Sequence, residues 1–552
     1  MKVLNNDLKN KIKKFYTEKN YSKLENLLEK IKNFDELPVS FLMIYAVSKA
    51  LNPKSKINDF SKSAYYFEKI YRSNEENLEP LYNLIIVSLK AKKFSNLNNI
   101  LKKVYLRNKN DAKIVEGLAK TNFFLGNLSK VSFFYEELIK LNPNFIEGWT
   151  KFLGSINYHQ SIDQKKYLDF CKKFDDLPIN EEIELKHRNI NEDEKINIGF
   201  VSPDFKNHSV SFFLKDILDK FDKKKFNIIA YSNLPVSEQD SLSLELKKTF
   251  DKWIDIQTLD DQETRNIIVN NKTDILIDLA GFTLGNRINL FKKRSAPVQV
   301  LWLGYCNSLG IRNMDYIIAD KNLIKENERD LYTEKILYMP KIWNALSKPK
   351  NIPNINRRIF ENKDKFCFGS LNNFLKISDK TIKVWSKILN LTGSNLILKS
   401  SSNDSKDLKE NLLSKFSDQN VNLENITILD TLKSQKDHLE CYNKFHLSLD
   451  TFPYPGVTTT FESLIMGKPV LTMKGNNFNS RCGESINLNV SLYKFIAENE
   501  EDYINKAVNF SKNPKILENL NKDLREKVLS SPLFDTKTFS EDLKSTFLNI
   551  LR

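Results

Sequence analysis

Three short segments hold side chains whose types and spacing could do chemistry, and each follows an apolar run that reads as a strand. "GFVSPDFKNHSVSFFLKDIL" carries His208 immediately before an amphipathic run, with Asn207 and Ser209 as polar neighbours. A histidine at such a junction can move a proton or position a substrate, or it can serve the fold alone. "FGSLNNFLKISDKTIKVW" sets Asn372 and Asn373 in a turn, Lys376 just past the strand end, and Ser378 where a helix cap belongs. A lysine there offers a point cation to a phosphate, although the chain is rich in lysine. "LDTFPYPGVTTTFESLIMGKPVLTM" (residues 449–473) builds a turn on Pro453, Pro455 and Gly456, then stacks Thr458, Thr459 and Thr460 where a helix should begin. β-Branched hydroxyl residues make a poor helix interior. Either they only cap the helix, or its orphan N–H groups and positive dipole end face an anion. Capping accounts for one threonine better than for three.

The elements that must position these residues alternate. From Ile196, apolar strands ("INIGFVS", "FNIIAYS", "DILIDLAG", "VQVLWLGY", "DYIIAD") alternate with helices, and after a Pro- and Asn-rich connection at 348–358 the pattern resumes with "FCFGSL", "NLILKS", "NITILD", "HLSLD" and "PVLTM". Near-continuous apolar strands separated by helices predict parallel sheets covered on both faces. Two such blocks predict two doubly wound domains facing a cleft, with ligands outside the carboxyl ends of the strands. Residues 501–511, 514–530 and 537–551 read as closing helices. Residues 1–185 read as helical throughout. A period of 34 lays Leu81, Leu84, Leu97, Leu101 and Val104 against Val115, Leu118, Val131, Tyr135 and Leu138. That is the tetratricopeptide period, in which helix pairs bury their apolar faces by stacking. An unrelated helical bundle is the alternative. The domains expected are therefore 1–185 (helical repeats), 195–345 (first α/β lobe) and 360–552 (second α/β lobe with the terminal helices).

Composition narrows the function classes. The 552 residues carry 85 Lys+Arg against 70 Asp+Glu, a net charge of +15, yet the basic residues are dispersed among acidic neighbours. This reads as a solvated Lys-rich surface rather than a nucleic-acid footprint, which clusters on one face. Five scattered cysteines without a CxxC pair, and only five histidines, argue against a disulfide scaffold or a zinc framework. The start lacks the apolar run of a signal peptide and no stretch of about 18 apolar residues occurs; a cytoplasmic protein is expected. There is no P-loop, GxGxxG after a strand, GxSxG elbow or HExxH. Nor does an acidic DxD pair end an apolar strand, so a diphosphate would rely on lysine, threonine hydroxyls and helix dipoles.

With these residues assembled, the chain resembles the O-linked N-acetylglucosamine transferase and SPINDLY family of protein glycosyltransferases, strongly over residues 195–515 and loosely over 75–150. The segments that carry the resemblance are "GFVSPDFKNHSVSFF", "DLAGFTLGNR", "RSAPVQVLWLGY", "MDYIIAD", "FGSLNNFLKIS" and the threonine segment itself, in that order. The family implies tetratricopeptide repeats followed by two Rossmann-like domains facing a cleft (GT-B).

It also implies roles. His208 matches the histidine at the reacting centre, a base or only a positioning group, and Lys376 the lysine that neutralises the departing diphosphate. Asn373, Gln435 and His438 fall at nucleotide-contacting positions. Thr458 and Thr459, with Thr460 beside them, match the phosphate-binding threonines, and Glu462 the carboxylate that holds the ribose. The activity implied is inverting, metal-independent transfer of N-acetylglucosamine from UDP-GlcNAc to Ser or Thr of proteins, with no cofactor. The acceptor would lie along the repeats, which would also allow self-association; no nucleic acid is involved. Val457 replaces a histidine beside the threonines, Gln435 replaces a lysine, and Phe282 stands where many bacterial relatives have histidine. "SLNNFLKIS" and "DTFPYPGVTTT" look closer to SPINDLY and bacterial relatives than to the animal enzyme, and SPINDLY-type proteins can use GDP-fucose. An O-fucosyltransferase and a catalytically inactive repeat scaffold are the alternatives.

Overall fold

The computed structural model describes residues 6–158, 163–178, 185, 194–360, 365–401, 404–432 and 434–551. They fall into two compact units, Met1–Pro143 with Asp404–Asn411, and Asn144–Asn403 with Leu412–Arg552. The first unit contains α1 (Asn6–Thr17), α2 (Tyr21–Leu28), α3 (Val39–Leu51), α4 (Ile57–Ser73), α5 (Glu79–Lys90), α6 (Phe94–Tyr105), α7 (Ala112–Phe124) and α8 (Leu128–Leu141). All ten residues matched by the 34-residue period are buried, so each helix pair does hide its apolar face against its neighbours. Asp111 caps α7 by accepting the Lys113 and Ile114 N–H groups at 2.9 and 3.1 Å. The "LGN" turn between α7 and α8 needs glycine: Gly126 sits at φ +71°.

The helical region expected over 1–185 does not hold together as one block. Helices α9 (Ile146–Ile156) and α10 (Gln164–Asp175) belong to the second unit; 159–162 and 179–184 lie outside the described residues. The reason is a set of buried polar anchors. The Tyr167 and Tyr305 hydroxyls are 2.7 Å apart, Gln164 donates to Asn307 at 2.7 Å, and the Lys292 ammonium donates to the Phe174 carbonyl at 2.8 Å. These tie α10 to the first α/β lobe, and Asn157, directly after α9, donates to the Tyr305 hydroxyl at 2.7 Å.

That lobe is a seven-stranded sheet of β1 (Ile196–Ser202), β2 (Phe226–Ser232), β3 (Lys252–Asp255), β4 (Ile275–Asp278), β5 (Val298–Leu301), β6 (Tyr316–Ala319) and β7 (Lys335–Tyr338), in the order 3-2-1-4-5-6-7. The second lobe has β8 (Cys367–Ser370), β9 (Asn395–Lys399), β10 (Ile426–Leu429), β11 (Leu447–Leu449), β12 (Val470–Met473) and β13 (Ile496–Ala497), in the order 10-9-8-11-12-13. Every pairing is parallel. Both orders reverse direction once, between β1 and β4 and between β8 and β11, so each lobe has a single switch point.

The last helix, Thr536–Ile550, departs from the expected boundary of the second lobe. It returns to the first lobe, where Ser540 Oγ donates to the Ile217 carbonyl at 3.0 Å and the Phe539 ring stacks on Trp302. The helix Phe478–Asn489 also ties the lobes: Arg481 forms a two-pronged ion pair with Glu328, at 2.5 and 2.8 Å, and Ser485 donates to Asp320 at 2.7 Å. Among the described residues, no helix is long and apolar enough to cross a membrane.

Candidate active site

A cavity of about 810 Å³ opens where the two switch points face each other. From the first lobe it is lined by the loops after β1 (Pro203–Val210), β4 (Thr283–Gly285) and β5 (Leu303–Cys306); from the second, by those after β8 (Asn372, Asn373, Lys376) and β11 (Tyr454, Val457–Thr459). A second cavity of about 540 Å³ lies alongside, walled by helix α11 (Ser209–Leu218), the connection Leu346–Asn351, Ser434–Lys436, Thr458 and Glu462. Thr458 lines both cavities and so marks their junction. Cations in the second cavity face an acid: Glu245 pairs with Lys215, and with Lys350 at 3.5 Å.

His208 is the N-cap of α11, its Nδ1 accepting the Val210 N–H at 3.3 Å. With Nδ1 used as an acceptor, a neutral imidazole carries its proton on Nε2, which makes the free nitrogen a donor rather than a base. Asp204 lies 3.8 Å from Nδ1, and burial raises its carboxyl above the ordinary value.

Lys376 ends a short 3-10 turn that Asn373 caps by accepting the Leu375 N–H at 2.9 Å. The Lys376 ammonium donates to the Pro455 carbonyl at 2.9 Å and lies 4.1 Å from the centre of the Tyr454 ring. Burial lowers its pKa, against the opposing pull of Asp450.

The threonines divide by role. The helix Thr458–Ile465 has Val457 as its N-cap with no side-chain cap bond, so no threonine caps it. Thr460 donates to the Gly456 carbonyl at 2.9 Å, is buried, and lines neither cavity. Thr459 donates to Asn372 Oδ1 at 2.5 Å. The hydroxyl of Thr458 meets no partner among the described residues. The turn before them requires glycine: a Cβ on Gly456 would collide with Thr459 and Asn372.

Glu462, one turn on, lines the smaller cavity; its Oε2 meets His438 Nε2 at 2.9 Å and the Tyr442 hydroxyl at 3.2 Å. His438 lines neither cavity, and its buried Nδ1 has no partner among the described residues. Gln435 begins the helix Gln435–Glu440 at the wall of the smaller cavity. Phe282 is buried against Phe174 and Tyr305. Val457 lines the larger cavity. Among the described residues no group of three or more His, Cys, Asp or Glu side chains is placed to hold a metal ion.

Sequence reasoning missed four parts of this site. Tyr454 and Tyr442 were aromatic residues with no motif to mark them. The connection 348–358 read as a linker, yet Lys348–Asn351 form a wall. The fourth is Asp450, directly after β11, whose available signal is an aspartate ending an apolar strand at a switch point.

Two doubly wound parallel lobes whose switch-point loops share one cleft define the two-lobed (GT-B) glycosyltransferase fold. A Thermobaculum terrenum O-GlcNAc transferase mutant has the same fold: TM-score 0.77, 23% identity, 93% of this chain and 97% of that one covered. The Glycosyl transferase family 41 pattern matches residues 165–365 and 347–543. The chain belongs to that family. It is similar to the probable UDP-N-acetylglucosamine–peptide N-acetylglucosaminyltransferase SPINDLY of Hordeum vulgare, 32% identical over 359 residues, which cover 64% of this chain and 38% of that protein. The protein of the same name from Oryza sativa subsp. japonica is 29% identical over 426 residues, 76% of this chain and 46% of that protein. The chain thus spans less than half the length of these curated relatives.

Proposed function

We propose that the protein transfers a sugar, N-acetylglucosamine from UDP-GlcNAc, onto Ser or Thr hydroxyls of a protein acceptor, with inversion and without a metal. One observation carries the reading: the loops bearing His208, Lys376, Thr458 and Thr459 line a single cavity from opposite lobes. In this reading the nucleoside occupies the smaller cavity, with Glu462 accepting from the ribose, and the diphosphate lies at Thr458 between the two. The acceptor oxygen bonds to the anomeric carbon as the bond from that carbon to the diphosphate breaks, its electron pair leaving on the phosphate oxygen. The hydroxyl proton departs to solvent. Lys376 releases the Pro455 carbonyl and neutralises the leaving diphosphate, the largest catalytic contribution, while Nε2–H of His208 positions the reacting groups. The acceptor lies along the helical repeats, which also offer a surface for self-association. The names of the relatives above support UDP-GlcNAc as donor.

GDP-fucose is the second reading, favoured by the SPINDLY-like segments "SLNNFLKIS" and "DTFPYPGVTTT", whose Asn373, Lys376 and Val457 line the cavity. A melting-temperature panel with UDP, UDP-GlcNAc, UDP-glucose, GDP and GDP-fucose in EDTA decides, because a ligand that binds the folded state raises its melting temperature. Stabilisation by UDP and UDP-GlcNAc supports the proposal. Stabilisation by GDP and GDP-fucose alone moves the assignment to fucose transfer. No stabilisation by any of them contradicts both and leaves a binding scaffold.

A further inference from the structure

Asp450, which follows β11 directly and is 1% exposed, has no part in the mechanism just proposed. Its Oδ1 accepts the Gly456 N–H at 2.7 Å, the Thr451 N–H at 3.0 Å and Asn372 Nδ2 at 3.2 Å. Its Oδ2 accepts the Thr472 hydroxyl at 2.8 Å. Asn372 in turn accepts the Thr459 hydroxyl through Oδ1. One buried carboxylate thereby fixes both second-lobe loops of the cavity, the one that carries Lys376 and the one that carries the threonines. The helix Phe478–Asn489 closes over it: a Cβ on Gly483 would collide with Asp450 Oδ2 and the Thr472 hydroxyl.

The groups around the pair come from several elements. Asp450, the thiols of Cys482 and Cys306, and the Tyr454 ring act on Lys376. On Asp450 act Lys376, Gly456, Asn372 and Thr472; Tyr503 donates to its backbone carbonyl at 2.9 Å, and Asp320 faces Cys482.

We propose that Asp450 is a positioning residue: its carboxylate, through Asn372 and the Gly456 N–H, keeps the loop that carries Lys376, the Gly456 turn and Thr459 in the register that receives a diphosphate. This rests on the reading of Lys376 as the group that neutralises that diphosphate. Burial lifts the Asp450 carboxyl to about 6, and burial lowers the Lys376 ammonium. Turnover should therefore rise as pH passes about 6 and Asp450 ionises, then fall on the alkaline side as Lys376 loses its proton.

The test is the pH profile of turnover for the full chain, read as nucleotide release from whichever of UDP-GlcNAc and GDP-fucose stabilises the fold. Asp450→Asn keeps an acceptor and removes the charge. It should abolish the acid limb and move the alkaline limb down by about one unit or more, since the cation loses its opposite charge. Thr472→Val, outside the cavity, strips one donor from the carboxylate and should shift the acid limb upward; it decides the matter if Asp450→Asn does not fold. Lower turnover with both limbs unmoved, in either variant, would overturn the proposal and leave Asp450 a purely structural acid. Lys376→Ala separates the two readings. If it is inactive while the limbs of Asp450→Asn and Thr472→Val stay put, only the role of Asp450 falls; if it keeps parental turnover, the reading of Lys376 falls, and this inference with it.

Discussion

Asp278 and Asp450 occupy equivalent places in the two sheets, each at the end of the strand beyond the switch point, β4 and β11. Each is 1% exposed. Each carboxylate accepts the backbone N–H of a glycine in the loop that follows, Gly281 at 3.1 Å and Gly456 at 2.7 Å. The two lobes thus shape their facing loops with the same device, a buried acid that gathers the N–H groups of a tight turn.

That device leaves a mark on stability. Burial raises both carboxyls from 3.8 to about 6, so the folded chain holds protons that the unfolded chain has released. The stability these groups supply is complete below about pH 3.8 and is lost as pH rises through about 6. The slope is at most about 1.4 kcal/mol per pH unit for each group. Asp278→Asn should flatten this part of the curve relative to the parent, measured by urea unfolding across the window. An identical slope would mean that Asp278 ionises in the fold without penalty.

Lys376→Ala should lower turnover by about 100-fold or more, because the leaving diphosphate loses its preorganised cation. UDP binding should stay measurable by calorimetry, since the helix start and Glu462 are untouched. Parental turnover in this variant would remove Lys376 from the mechanism.

Thr458 and Thr460 are expected to part company. Thr458 lines both cavities with its hydroxyl unpartnered among the described residues, whereas Thr460 spends its hydroxyl on the Gly456 carbonyl. Thr458→Val should weaken UDP binding by about 5- to 10-fold with little change in melting temperature. Thr460→Val should cost about 1 kcal/mol of stability and leave the affinity nearly unchanged. The reverse pattern would place the phosphate contact on the buried threonine.

Glu462 is clamped by His438 and Tyr442 on a single oxygen, Oε2. If it accepts from the ribose, the parent should bind UDP more tightly than 2′-deoxy-UDP or 3′-deoxy-UDP. Glu462→Gln should lose that discrimination together with about tenfold in affinity. Equal affinities for all three nucleotides in the parent would release Glu462 from that role.

Much of this architecture was legible in the chain because buried parallel strands are continuous apolar runs. The strands that escaped notice, β3, β7 and β13, are all sheet edges; "KWID" and "KILY" are half exposed and carry charge at their first position. The repeat period was visible because stacking demands apolar residues at fixed spacing. The end of the repeats was not, because α9 and α10 are amphipathic helices like those before them, and the polar anchors that tie them to the first lobe lie more than a hundred residues away in Tyr305 and Asn307. At the site, His208, Lys376 and Thr458 could be found from their places after strands. The division of labour among the three threonines could not, since it depends on which hydroxyl finds Asn372, which finds Gly456 and which is left over.

The central claim, that the two switch points together hold a nucleoside diphosphate, is tested most directly by determining the structure of the protein with UDP bound in EDTA. The expected result has diphosphate oxygens within about 3 Å of Lys376 Nζ and the Thr458 hydroxyl, with Lys376 turned away from the Pro455 carbonyl. UDP bound outside both cavities, with Lys376 still on that carbonyl, would contradict it.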